Sequence, residues 1–228
     1  MDVSTNPTEA AATRPVKVWD APTRLFHWAI VLLVGFSWFS MQESWMELHF
    51  LSGYTILTLL LFRLIWGFLG SDTARFAGFL RSPAAVLRHL AHITRREPDG
   101  TIGHNAAGGW MVIVILVLLL VQAGTGLFSN DDIMNDGPLV PLVGKSWSDW
   151  FTYIHSINFK LIEFAVLLHV VAIAAYAVLK RQNLVRPMLT GSKRLSTELG
   201  SPRIASIWRA LAALAAALAA VAALVNLA

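Results

Sequence analysis

His155 and His169 stand fourteen residues apart in an apolar stretch running from about Trp150 to Lys180. In a helix, fourteen residues rise ~21 Å and nearly return to the same face. One helix face would then carry two imidazoles at different depths of a bilayer. Ionisable side chains are costly there and mark functional sites. Two further histidines open other apolar runs, His27 near the start of the first and His49 near the start of the second. Imidazole is a metal ligand as well as a proton carrier, so four of them in membrane spans ask what they hold.

The composition says what must position them. Of 228 residues, 56% are hydrophobic and only 14% charged, where a soluble domain carries nearer ~25% charged residues. Mean hydropathy is +0.58. The chain reads as an all-α integral membrane protein. Its net charge of +4 does not indicate nucleic acid, because the basic residues flank apolar runs instead of forming one patch. Cysteine is absent, which excludes disulfides, thiolate-held iron–sulfur clusters and covalent haem attachment through CxxCH.

Five stretches are long enough to cross ~30 Å of hydrocarbon: Thr23 to Met41, Leu48 to Gly70, Ala107 to Ser129, Trp150 to Lys180 and Ala205 to Ala228. Pro22 suits the first turn of the opening helix and Gly70 the end of the second. The fourth exceeds a bilayer thickness, so it tilts or projects. Basic residues fall before the first span (Arg14, Lys17, Arg24), between the second and third (Arg75, Arg81, Arg88, Arg95, Arg96) and after the fourth (Lys180, Arg181, Arg186, Lys193, Arg194, Arg203). All three segments share one side, and the positive-inside rule makes it the cytoplasm. The N-terminus is then inside and the C-terminus outside. No cleavable leader is read at the start. An unstructured segment 1–16 and a linker with an alanine-rich fifth span over 191–228 flank the stretch 17–190, which a family resemblance given below implies is a four-helix transmembrane bundle.

Depth pairs the histidines: His49 with His155 on the outer side, His27 with His169 on the inner side. Facing helices of a bundle can hold a cofactor this way. Paired imidazoles on two haems are the expected arrangement, leaving the iron no open position and favouring electron transfer. Gly53, four residues after His49, would leave room for a porphyrin edge. Arg63 shares the His49 face near the inner level, where it pairs a propionate or snorkels to the interface. Each histidine alone reads as an interhelical hydrogen-bonding residue; the set of four at matched depths does not. Zinc is the weaker reading, since His155 and His169 are too far apart to share an ion and no acidic or thiol ligands cluster beside them.

Three other histidines carry blander readings. His89 and His92 belong to a short amphipathic helix after Ser82-Pro83, lying on the inner surface with Val86, Leu87, Leu90 and Ile93. His104 precedes the third span, as a headgroup-level residue or a partner to a quinone or propionate. The tryptophans bracket the spans as an aromatic belt. The outer loop from Asn130 to Asp149 is acidic through Asp131, Asp132, Asp136 and Asp149, and serves as a connector or as a docking surface.

The passages VWDAPTRLFHW around His27, LFRLIWGFLGSDTARFAGFL after His49, GHNAAGGWM opening the third span and QAGTGLFSNDDI closing it resemble the bacterial cytochrome b561 family. That family includes the membrane cytochrome b subunits of nickel–iron hydrogenases, and the resemblance covers about residues 16 to 190. It implies a four-helix bundle with two b-type haems held by His27, His49, His155 and His169. It also implies electron exchange between quinone and a periplasmic partner, a c-type cytochrome or a hydrogenase-like oxidoreductase, in a bacterial inner-membrane respiratory chain. The fifth span departs from that core, and either packs on the bundle or a partner or simply anchors the chain.

The leading expectation is therefore an electron-transfer subunit. The alternative is a stand-alone superoxide:quinone oxidoreductase, which a cationic funnel toward the outer haem would favour; the outer loops are acidic, with Lys145 their one basic residue. A haem-free transporter or structural subunit leaves the histidines unexplained and shows no internal repeat.

Overall fold

The computed structural model describes residues 13–92 and 101–226. In chain order it comprises β1 (Thr13–Lys17), α1 (Ala21–Gln42), α2 (Met46–Leu69), the single turn α3 (Phe76–Phe79), α4 (Pro83–Ala91), α5 (Ala106–Gly126), α6 (Lys145–Leu179), the short α7 (Val185–Thr190), β2 (Ser192–Ser196) and α8 (Ile207–Val225). Helices α1, α2, α5, α6 and α8 are the five that are long and apolar enough to cross a membrane. They coincide with the five expected spans to within a few residues, except that α6 begins five residues early.

Local chemistry sets the ends. Asp20 caps α1, its Oδ1 accepting from the Thr23 amide at 2.7 Å, with Pro22 in the first turn. Asn105 caps α5 through the Gly108 amide at 2.8 Å. Short side chains that accept from N2 or N3 amides satisfy donors no helix bond reaches. Gly144, at φ +75, turns the chain into α6, a conformation that favours glycine. Lys145 and Asp149 then pair one turn apart. Residues 145–149, expected as the end of the outer loop, are the first turns of α6, because this i,i+4 pair and the glycine turn extend the helix beyond its apolar run.

The bundle core joins α1, α2, α5 and α6 through Ile30, Ile56, Leu60, Leu116, Leu119 and Ile162. Helix α2 packs on α1, α5 and α8, and α5 packs on α6. Helix α6 does not close against α1 or α2 in the same manner, which leaves a slot between them. The fifth span packs on the bundle: Ala210, Ala213, Ala217 and Val221 are buried along one stripe of α8. The alanines meet Phe62 and Trp66 of α2, the close approach that small residues allow between membrane helices.

β1 and β2 pair antiparallel, Thr13 opposite Ser196 and Lys17 opposite Ser192. The Gly191 carbonyl, at the left-handed end of α7, accepts from the Val18 and Trp19 amides at 2.9 and 3.0 Å. Residues 13–16, expected to lack structure, are thus part of a ribbon that crosses both expected domain boundaries. The ribbon brings Arg14 and Lys17 beside Lys193 and Arg194. The ribbon makes this the sheet end of the bundle, and the opposite one is the loop end. Arg95, Arg96, Ile93 and the segment before β1 lie outside the described residues.

Candidate functional site

At the loop end, α2 presents His49 and α6 presents His155, with ring centroids 6.3 Å apart. The His49 Nδ1–H donates to the Ser37 carbonyl at 2.9 Å, and the His155 Nδ1–H donates to the Gln122 carbonyl at 2.9 Å. A carbonyl only accepts, so each bond places the ring proton on Nδ1 and leaves the Nε2 lone pair free. A backbone carbonyl fixing the tautomer is the usual support behind a metal-bound histidine. Gly126 lies against His155, where a Cβ would come within 3.0 Å of Cε1. The two rings border a cavity of about 380 Å³ that also meets Gly53, Ser37, Phe50 and Tyr54. A Cβ on Gly53 would touch nothing within 4 Å, so the expected space at that glycine is present.

At the sheet end, His27 of α1 faces His169 of α6, with centroids 6.5 Å apart. The buried polar atoms that lack a hydrogen-bond partner among the described residues gather in this region: Thr23 Oγ1, Arg24 Nε, His27 Nδ1, Arg63 Nη1 and His104 Nδ1. Unsatisfied buried polar groups are costly and call for a missing partner. Arg63 is 2% exposed and lies 5.0 Å over the Phe76 ring. It does not snorkel: the α2 register turns it inward. His104 is enclosed by Trp19 and Phe79, at centroid distances of 4.6 and 4.7 Å. Burial, then the neighbouring Arg63, His169 and His27, push its pKa down to about 3. The headgroup-level reading of His104 is therefore corrected, since the turn before α5 folds it beneath α3.

Both centroid distances suit a shared metal ion. An imidazole nitrogen sits about 2.0–2.1 Å from a bound transition metal, and about 1.1 Å more reaches the ring centre; two opposed rings then lie ~6.3 Å apart. Among the described residues no three His, Asp or Glu side chains converge on one point, so a bare ion would have two protein ligands. A macrocycle with nitrogen ligands of its own would supply the rest. The residues fit haem, and the orphaned Arg63 and His104 nitrogens fit its carboxylates.

Three features escaped sequence reasoning because their partners are remote. Asp20, 1% exposed, accepts from Trp66 Nε1 at 3.1 Å through Oδ2 and sets a negative charge near Arg63. Thr73 Oγ1 donates to the Val18 carbonyl at 2.6 Å. The Tyr176 hydroxyl accepts from Asn105 Nδ2 at 2.9 Å and contacts His89 Nε2. His89 thus anchors α4 to α6, whereas a surface position was expected; His92 is half-buried at the end of α4, bonded to the Arg88 carbonyl of its own helix.

The loop end carries an acidic turn. Asp131 Oδ1 accepts from the Ile133, Met134 and Asn135 amides, each at 2.9 Å. The Asn135 side-chain amide and these backbone bonds hold the Asp131 carboxyl below its usual range. Lys145 is engaged by Asp132 at 2.5 Å and by Asp149.

Residues 18–191 match the family model described as prokaryotic cytochrome b561. Among curated relatives, a probable Ni/Fe-hydrogenase B-type cytochrome subunit of Azotobacter chroococcum mcd 1 is 28% identical over 212 residues, covering 77% of this chain and 87% of the relative. The protein so named in Azotobacter vinelandii is 28% identical with the same coverage. Its counterpart in Cupriavidus necator is 24% identical over 76% of this chain and 85% of its own. No solved structure matches the chain.

Proposed function

The chain belongs to the prokaryotic cytochrome b561 family, and from that premise we propose that it is a dihaem membrane cytochrome b carrying electrons between quinone and a redox partner across a bacterial inner membrane. Membership makes it a multi-pass membrane b-type cytochrome; the number of haems, their ligands and the partners are the proposal. Its main support is the pair of imidazole couples, 6.3 and 6.5 Å between centroids, separated along α6 by ~21 Å.

His49 and His155 would hold one haem b and His27 and His169 the other, with Arg63 and His104 receiving carboxylates at the sheet end. Haem b bound there supplies reversible one-electron chemistry. The Ser37 and Gln122 carbonyls orient the loop-end rings, and apolar residues of α2 and α5 line the cavity beside them. The basic sheet end faces the cytoplasm under the positive-inside rule. The acidic loop end then faces the partner, a c-type cytochrome or, as the relatives' names indicate, a hydrogenase subunit. The stand-alone superoxide reading loses support, because the Lys145 charge is taken up by Asp132 and Asp149 and offers no funnel to an anion.

Haem stoichiometry and the reduced-minus-oxidised spectrum of the purified chain test this. Two b-type haems per chain are expected, falling to one in His155→Ala and to the other one in His169→Ala. A single haem in the unaltered chain, or loss of the same haem in both variants, would refute the assignment.

A further inference from the structure

Helix α6 also carries Lys160 and Glu163, and both are exposed. Their depth follows from the packing of α6 on α5. His155 bonds Gln122, near the loop end of α5, and Tyr176 bonds Asn105, which caps its sheet end. Residues 155 to 176 therefore cover the depth of α5 from its Asn105 cap to Gln122. Lys160 lies ~8 Å and Glu163 ~12 Å below His155, with ~20 Å still to Tyr176. Glu163 is close to the middle of the hydrocarbon. Neither residue reaches an interface by snorkelling from the final turn of its helix.

Lys160 points away from the haem side, and Glu163 lies on its flank. At 100° per residue, Lys160 is rotated ~140° from His155 and ~180° from His169, and Glu163 ~80° and ~120°. Neither borders the loop-end cavity. Among the described residues they pair neither with each other nor with any other group. Charged side chains within a membrane span almost always face protein or water and pair with a partner. Two facing lipid unpaired require a cover that the single chain does not provide.

The surrounding pattern describes that cover. Tyr153, Lys160, Glu163, Leu167, Val170 and Ala174 are all exposed and recur at intervals of seven, three, four, three and four. This is the seam spacing of a left-handed helix pair, and it runs along the side of α6 that α5 leaves open. A basic and an acidic residue three apart on one seam form their own complement. A two-fold axis along the membrane normal places Lys160 beside Glu163 of a second copy, and Glu163 beside that copy's Lys160, in an isologous contact. The offset of ~4.5 Å along the axis is within reach of a lysine side chain.

We propose that the protein self-associates in the membrane through this face of α6, as a two-fold dimer in which Lys160 and Glu163 of one copy pair reciprocally with Glu163 and Lys160 of the other. The contact leaves the haem slot and the α8 packing on α2 untouched.

Charge reversal separates pairing between chains from pairing within one. Two differently tagged full-length copies are co-expressed, and capture by one tag is scored for the other in nanodiscs. Unaltered copies capture each other. Lys160→Glu with itself, and Glu163→Lys with itself, bring like charges together and lose capture. Lys160→Glu mixed with Glu163→Lys restores it, although neither chain holds an internal pair. The reduced haem spectrum of each variant reports that the bundle is intact. Because the chain has no cysteine, Leu167→Cys gives a second readout that alters no charge. It should cross-link in membranes to a product of twice the chain mass, while Leu161→Cys, on another face, should not. Monomeric unaltered chain in both assays, full self-capture by the single reversals, or a Leu167→Cys product containing a different polypeptide would each overturn the proposal.

Discussion

Gly126→Ala is the smallest change that should separate the two proposed haem sites. The added Cβ would stand 3.0 Å from His155 Cε1 and 3.3 Å from Nδ1, where ordinary contact begins at 3.4 Å. The ring must yield by about 0.4 Å, whereas metal–ligand distances hold to within about 0.2 Å. It cannot swing freely, because its Nδ1–H is tied to the Gln122 carbonyl at 2.9 Å. Overpacking by a methyl group costs about 1–3 kcal/mol. At ~1.4 kcal/mol per decade, affinity at the loop-end site should fall roughly 5- to 140-fold. Haem titration of the purified apoprotein, followed by the reduced-minus-oxidised spectrum, reads this directly. The His27–His169 site lies ~21 Å away along α6 and should bind as before. Gly53→Ala is the companion variant: its Cβ meets no protein atom within 4 Å, so any loss there reports on the cofactor itself. Unchanged affinity in Gly126→Ala, or weakening confined to the sheet end, would refute the assignment of His155 as a ligand held in place by α5.

Three further outcomes follow from the packing. Asp20→Ala removes the α1 cap, about 0.5–2 kcal/mol, and the Trp66 hydrogen bond, about 0.5–1.5 kcal/mol; thermal unfolding in detergent should show a loss of about 1–3.5 kcal/mol, and no measurable loss would count against the buried cap. Ala217→Leu overfills a position that is 1% exposed; hydrogen exchange over 207–225 should rise while the haem spectrum stays, and unchanged protection would show that α8 does not depend on the alanine stripe. Burial holds His104 neutral, with a folded pKa of about 3 against 6.5. The unfolded chain therefore takes up the proton first, so stability is full above pH 6.5 and falls as pH drops from there toward about 3. His104→Gln should flatten that part of the melting profile of the apoprotein, and an identical slope would remove His104 as its source.

The chain's spans and the depth of each histidine were legible because both are one-dimensional. Apolar runs fix which residues cross the bilayer, and a constant rise per residue fixes how deep His27, His49, His155 and His169 lie. Two helices facing each other can only bring together residues of equal depth, so the pairing followed before any contact was known. The basic segments at one end were equally readable, since topology counts charges and not contacts.

Tertiary structure decided whatever depends on rotation about a helix axis or on pairing between remote segments. Arg63 could reach an interface or a buried site from its position alone; the packing of α2 turned it inward. His104 and His89 read as surface residues until the turn before α5 placed one under Trp19 and Phe79 and brought Tyr176 to the other. The ribbon of Thr13–Lys17 with Ser192–Ser196 joins segments with four spans between them, and backbone hydrogen bonding carries no sequence-specific mark of its partner. Alanine spacing in α8 showed that it could pack closely, but α2 supplied the surface. Periodicity along one chain gives heights and faces; which face meets which neighbour is settled only when the helices close around a common core.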